Sequence, residues 1–468
     1  MKPIKSLYIF SLFFLICLSC ANDLDDKPVS TSAINNFIYK GLRSYYIYND
    51  LVPDLVENKS FNLNYNSYLS VNNPENFFEN LIYDRPTTDK FSWLSKDYLA
   101  LEQQFEGTNQ VNGMVYGLDY VFPGSTNLYG FVKYVLPNTS ASSENLIRGA
   151  IFTKVNNQDL TVSNYRNLLS NNSYSIQLAT YNTTTNTFNT NGTNVNLNKQ
   201  TYTENPIYTS KIITVGSEKV GYLMYNRFNA AFNQQLNNAF GNFAANNINH
   251  LVLDLRYNPG GSVNTATLLA SMITGQFNTD VFSKLKYNAN FLASNQNYNF
   301  KQTVNNQPIN HLNLTEIYVL TTDNTASASE MIINSLKPYI NVIQIGTTTV
   351  GKSQASITLY DSPNFSRNNV NPLHLYAMQP LVAKTTNKLD IEVPSTGLVP
   401  NVALAENALN LNQLGQITEP LLAEALAQID ANNRIAKPQI KKEISKPLHS
   451  SNFYKFSQEM FIDNLHKN

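Results

Sequence analysis

From Ser30 the segment "STSAINNFIYKGLRSYYIYNDLV" opens on capping hydroxyls and then repeats apolar side chains at Ile34, Phe37, Ile38, Leu42 and Tyr45. That three-and-four spacing predicts an amphipathic helix. Further helices are predicted after Pro74 in "ENFFENLIYD" and in "SKDYLALEQQFEG", so residues 21–106 read as an N-terminal helical unit. After Gly107 the text changes to short strand-like runs, "MVYGLDYVF", "LYGFVKYVL" and "GAIFTKVNN", set apart by Pro, Gly and Asn turns. A helix in "TVSNYRNLLSN" and a closing strand in "YSIQLATYN" follow, then an Asn/Thr-rich stretch read as a loop, giving a β-rich domain over 107–205.

Over 206–430 apolar strands alternate with helices: "KVGYLMYN" with "NQQLNNAFGNFAANN", "HLVLDLR" with "VNTATLLASMIT", and "EIYVLTT" with "SASEMIINSLKPY". "NVIQIG", "QASITLY" and "HLYAMQPLVAK" add strands, and "EPLLAEALAQI" a last helix. Apolar runs alternating with helices predict a largely parallel α/β layer. The fold class is therefore multidomain α/β, and residues 431–468, charged and polar in "KPQIKKEISKP", read as a loose tail.

The chain has 468 residues, 42% of them apolar, enough for several buried cores. Its formal charge is zero and no basic block appears, so a nucleic-acid partner is not expected. Cysteine is more informative, because Cys17 and Cys20 are the only two. Lys2 and Lys5 precede the apolar run "LYIFSLFFLICLSC", the layout of a secretory signal over 1–20. Ser19-Cys20 resembles a bacterial lipobox, in which Cys20 is lipidated, although Cys17 stands where Leu is usual. The expected mature chain has no disulfide and is held on a membrane by its lipid, in the cell envelope, as an outer-membrane lipoprotein facing the periplasm or the cell surface.

Candidate chemistry centres on "TASASE", Thr325–Glu330, between a predicted strand and a predicted helix. Ser327 falls at the helix start, where free amides favour developing negative charge, although a plain capping role would also place a serine there. A serine nucleophile needs a base. No local pattern recommends His250, His311 or His374, whereas Lys352 in "TTTVGK" follows the strand predicted to lie beside the one that delivers Ser327. As a base this lysine must be neutral, so burial has to bring its pKa well below about 10. A third segment, "LDLRYNPGGS", carries a strand into a turn whose glycines, Gly260 and Gly261, let amides face an oxyanion. No His-rich ligand pattern or phosphate loop suggests a metal or another cofactor.

These three segments resemble those of peptidase family S41, the carboxyl-terminal processing or tail-specific proteases. "DLRYNPGG" is similar to the family's Asp-Leu-Arg-x-Asn-x-Gly-Gly signature, "TASASE" to its Ser-Ala-Ser-Ala-Ser-Glu element, and "TVGK" to its Thr-x-Gly-Lys element. The resemblance implies Ser327 as nucleophile and Lys352 as base. It further implies an oxyanion hole from Gly260 or Gly261 with Ala328, and support from Glu330 and Thr349. Thr325 replaces the first serine of the element, Ser356 stands where some members carry an orienting Gln, and Pro338 where others carry an Asp. Gln354 is the candidate substitute.

It also implies a ClpP/crotonase-like α/β protease core and a PDZ-like domain, with Tyr129, Gly130, Phe131 and Val132 at the carboxylate-binding loop. "RGAIFTKVN" resembles a PDZ stretch, with Ala150 and Asn157 at positions where Asp and Gly are usual. "DKFSW", "YAMQPLV" and "GLVPNV" resemble segments of secreted Bacteroidetes-type members. The implied activity is Ser-Lys endopeptidase action on peptides or unfolded exported proteins. A catalytically inactive peptide-binding lipoprotein and a small-molecule amidase or esterase are the two rival readings, and the second would leave the PDZ-like domain without a use.

Overall fold

The computed structural model describes residues 29–430, 448–451, 458 and 460–462. The signal and lipidation segment, with Cys17 and Cys20, lies outside them. The N-terminal region is helical: α1 (Thr31–Tyr45), α2 (Pro74–Asn80) and α3 (Tyr98–Phe105) are capped by Ser30, Asn73 and Asp97 side chains. In α1 the buried face is Ile34, Phe37, Ile38 and Leu42, as its periodicity predicts. The strand Trp93–Ser95 pairs antiparallel with Ala377–Gln379, which fastens this region to the rest of the molecule.

The β-rich domain holds β1 (Met114–Tyr120), β2 (Leu128–Val135), β3 (Ile151–Val155), the helix α4 (Tyr165–Ser170), β4 (Ser173–Asn182) and β5 (Thr187–Asn198). Its neck is closed by Thr108–Val111 pairing antiparallel with Gln200–Thr203. Two readings of the sequence are corrected here. The Asn/Thr-rich stretch is not a loop but β5, a hairpin partner of β4, because Val195 and Leu197 alternate into the core while their Asn neighbours face out. Tyr129–Val132 is not a carboxylate-binding loop but the interior of β2, paired to β1 on one edge and, at Gly130 and Phe131, to β3 on the other. A Cβ on Gly130 would run into the Phe152 ring, so close packing, not a ligand, requires that glycine.

The core sheet contains β6 (Ile207–Val215), β7 (Glu218–Tyr225), β8 (His250–Asp254), β12 (Glu316–Thr321), β13 (Asn341–Gly346) and β16 (Val402–Ala403) in the spatial order β6-β7-β8-β12-β13-β16. All neighbours are parallel except β6 with β7. Between these strands run α5 (Asn233–Ala245), α6 (Val263–Thr274) and α7 (Ala328–Leu336), and α8 (Pro420–Ile429) lies near the end. Alternate residues serve opposite faces: Leu251 and Leu253 join the core beneath the helices, while Val252 joins Leu421, Leu422 and Leu426 of α8 on the other side.

A second sheet is built from β9 (Gly261–Ser262), β10 (Val281–Tyr287), β11 (Gln296–Asn299), β14 (Gln354–Ser356) and β15 (Leu381–Asn387). Two short strands after residue 430, β17 (His449–Ser450) and β18 (Met460–Phe461), complete the set. Strand β17 pairs with β1, and β18 lies between β9 and β14. The described part of the segment after 430 is therefore not a loose tail. Met460, which opens the apolar run Met460–Ile462, is fully buried and carries its neighbours into the fold.

Candidate active site

Three parallel strands, β8, β12 and β13, end at one edge and deliver the three segments singled out in the sequence. Loops beyond the carboxyl ends of adjacent parallel strands meet there, the usual place for a site in such a sheet. Here they are stitched together. The Thr325 hydroxyl donates to the Leu255 carbonyl at 2.8 Å, the Ala326 amide to the Asn258 carbonyl at 3.1 Å, and the Val350 amide to the Thr325 carbonyl at 3.0 Å.

Ser327 is buried at the position before the first turn of α7, with φ 65° and ψ −118°, a backbone conformation that side-chain-bearing residues rarely adopt. Glu330 holds it there. One carboxylate oxygen accepts from the Ser327 amide at 2.7 Å and from the Lys352 amide at 2.9 Å. The other accepts from the Gly351 amide at 2.6 Å and from the Thr349 hydroxyl at 2.5 Å. Burial raises the Glu330 pKa above the ordinary carboxylate range, and these four donors pull it back. Ser327 Oγ has no hydrogen-bond partner among the described residues, although it is buried.

Lys352 is fully buried. Its ammonium lies 5.0 Å from the Phe91 ring centre and donates to the Gln458 carbonyl at 2.6 Å. Phe91 comes from the "DKFSW" turn of the N-terminal region, where Asp89 accepts from the Phe91 and Ser92 amides. The sequence did not single it out, though the motif that contains it was visible. The Gln354 side chain lies beside the Tyr48 hydroxyl. Of the histidines considered as bases, His250 lies against Glu218 and His374 against Asp361.

At the glycine turn the candidates separate. The Gly260 amide donates to the Asn258 side chain at 2.9 Å, so it is occupied and does not face an oxyanion. Gly261 has φ 138°, and a Cβ there would overlap the Phe228 carbonyl, so only glycine fits. Ala328 opens α7, where first-turn amides lack helical acceptors. Gly261 and Ala328 are thus the remaining donors. Asn258, the Asn of "NPGG", positions both loops: its side chain also donates to the Tyr225 carbonyl at 2.8 Å, and its own carbonyl accepts from Ala326 and Ser329.

Beneath the site lies a buried charge cluster. Arg256 is fully buried, paired with Asp254 at 2.9 Å and bidentate to Glu419 at 2.6 and 2.8 Å. Arg148 of the β-rich domain reaches Glu406 at 2.6 Å, and Glu406 also contacts Arg256 at 3.0 Å. Despite its burial, the two guanidiniums hold the Glu406 pKa down to about 2. The Arg of the "DLR" motif is therefore structural, and it joins the β-rich domain to the core. Among the described residues no group of three or more His, Cys, Asp or Glu is arranged to hold a metal ion.

Residues 33–93 match the model of the peptidase S41 N-terminal domain, and residues 219–363 that of peptidase family S41. A carboxyl-terminal-processing protease of Picosynechococcus is 24% identical over 243 residues, 52% of this chain and 53% of that protein. A CtpA-like serine protease of Staphylococcus epidermidis is 26% identical over 179 residues, 36% of this chain and 34% of its own length. The chain thus spans about half or less of these relatives. A crystal structure of an S41 protease from Bacteroides fragilis superimposes with a TM-score of 0.69 at 26% identity, over 84% of this chain and 97% of that one. With both domain models matched in order, the catalytic-motif loops meeting at one sheet edge, and this superposition, the chain belongs to peptidase family S41.

Proposed function

We propose that the chain is a serine endopeptidase in which Ser327 is the nucleophile and Lys352 the general base. The observation that carries this reading is the Glu330 carboxylate, which ties the backbones of Ser327 and Lys352 through a single oxygen. A lysine acts as a base only through its neutral amine. Neutral Lys352 takes the Ser327 proton as Oγ attacks a peptide carbonyl. The amides of Gly261 and Ala328 hold the tetrahedral oxyanion, and the lysine returns the proton to the leaving amine. Water then resolves the acyl-enzyme by the same route.

The substrate class we propose is unfolded or tailed polypeptide among exported proteins, with the chain anchored through a lipid on Cys20 at the outer membrane. The β-rich domain is read as a PDZ-like module that takes substrate by strand addition along β1, not through Tyr129–Val132. Cleavage of an unfolded protein and of a C-terminally tailed peptide, compared with Ser327→Ala and Lys352→Ala, tests this. Both substitutions abolish cleavage while the fold persists. Equal inertness of all three forms, with peptide still bound, makes the scaffold a receptor instead.

A further inference from the structure

We propose that the chain rests with its own residues 448–451 and 460–462 seated in the two places where a substrate peptide would bind, so that substrate must displace them. This rests on the peptidase reading for the meaning of the cleft, but the seating itself is independent of catalysis.

The first seat is on the β-rich domain. His449 and Ser450 pair antiparallel with Leu118 and Gly117 of β1, and Ser451 exchanges backbone and side-chain hydrogen bonds with Tyr116 at 2.8 to 3.0 Å. The His449 ring lies 5.4 Å from Tyr165 of α4 and 6.2 Å from Tyr116, so this segment sits between an edge strand and a helix. That is the geometry of an added peptide strand. The Ser450 hydroxyl accepts from the buried Lys133 ammonium at 2.8 Å and donates to Asn324 at 2.9 Å. Asn324 belongs to the loop that leads into Ser327, so this seat touches the catalytic loop directly.

The second seat is the cleft. Met460 and Phe461 run parallel to Gly261 and Ser262 on one side, and Phe461 to Ser356 on the other. The Ile462 amide donates to the Ser356 carbonyl at 3.1 Å and the Ser356 hydroxyl to the Met460 carbonyl at 3.2 Å. The gap between the oxyanion turn and the strand after Lys352 is thus filled by an extended peptide. Two residues before Met460, the Gln458 carbonyl takes the hydrogen bond of Lys352, while Ser327 Oγ has no partner among the described residues. In this arrangement the base serves the segment and not the nucleophile.

Chemistry also reads out of the seat. Met460 is fully buried and Phe461 stacks on Phe105 at 4.8 Å, so the cleft selects an extended stretch with an apolar side chain two residues after the carbonyl that faces Lys352. A segment tethered in cis competes at a high effective concentration without new contacts.

The test uses the full chain carrying Met460→Asp, which would bury a carboxylate in an apolar seat, and Phe461→Ala, which removes only a partly exposed ring. Circular dichroism checks folding, and Phe461→Ala carries the test if Met460→Asp does not fold. Casein cleavage rises about tenfold or more in Met460→Asp and less in Phe461→Ala. Amide exchange at Ile462, whose N–H donates to the Ser356 carbonyl, becomes faster, and a synthetic peptide with the sequence of residues 448–462 inhibits the variants more strongly than the parent. Unchanged exchange together with unchanged cleavage in folded variants overturns the inference and leaves the peptidase reading standing. If no form cleaves casein, yet exchange rises and the labelled peptide binds the variants more tightly than the parent, the seating stands and the peptidase reading fails.

Discussion

The backbone amides of Ser327 and Lys352 donate to the same oxygen of Glu330, at 2.7 and 2.9 Å. The nucleophile and its base are therefore positioned by one carboxylate that touches neither reacting atom. Glu330→Gln keeps the shape but replaces one acceptor with an amide NH₂ that must face N–H donors. The expected result is a kcat lower by roughly a hundredfold with KM little changed, and a loss of about 1–3 kcal/mol in stability. Steady-state kinetics and thermal unfolding of the variant check both numbers.

The φ of 65° at Ser327 makes a second prediction. Both Ser327→Ala and Ser327→Gly remove the hydroxyl and abolish cleavage, but only glycine relaxes the backbone. Ser327→Gly should therefore be the more stable of the two by roughly 1–3 kcal/mol, read from denaturant unfolding.

Arg256 is fully buried against Asp254, Glu406 and Glu419. Arg256→Met leaves carboxylates buried without their partner, and a loss of about 3–5 kcal/mol is expected. Because Arg148 carries the same network into the β-rich domain, limited proteolysis should also show that domain loosened from the core.

How much of this was legible in the sequence depended on whether the signal was local. Helix α6 was readable residue by residue from "VNTATLLASMIT", and the three loops at the strand ends were carried by short motifs. Strand β5 was not, since its Asn and Thr residues name a loop by composition, while only the pairing with β4 gives Val195 and Leu197 a core to enter. The fate of Gly260 was equally hidden, because the Asn258 side chain claims its amide through a contact that spacing does not reveal. The short apolar run Met460–Ile462 was not legible as a strand because its partners, Gly261, Ser262 and Ser356, lie far away in the chain.

Lys133 supplies a pH dependence. Burial pushes its pKa down from 10.5 to about 8, against the opposing pull of Glu406 and Asp323. Above pH 10.5 the lysine is neutral whether the chain is folded or not, and its contribution to stability is fully present. As pH falls from there toward 8, the unfolded chain gains a proton that the folded chain resists, so stability is lost, and below that range the loss levels off. Relative to Lys133→Met, the parent should lose about 3 kcal/mol across this window. Urea unfolding of both proteins at a series of pH values measures it.

Trapping the acyl-enzyme tests the roles of Ser327 and Lys352 directly. The full chain is incubated with p-nitrophenyl acetate, its intact mass is read, and the modified peptide is mapped. One acetyl group is expected on Ser327 in the parent, none in Ser327→Ala, and strongly slowed labelling in Lys352→Ala. An acetyl group on another residue, or labelling of Ser327 at the same rate without Lys352, would contradict these roles.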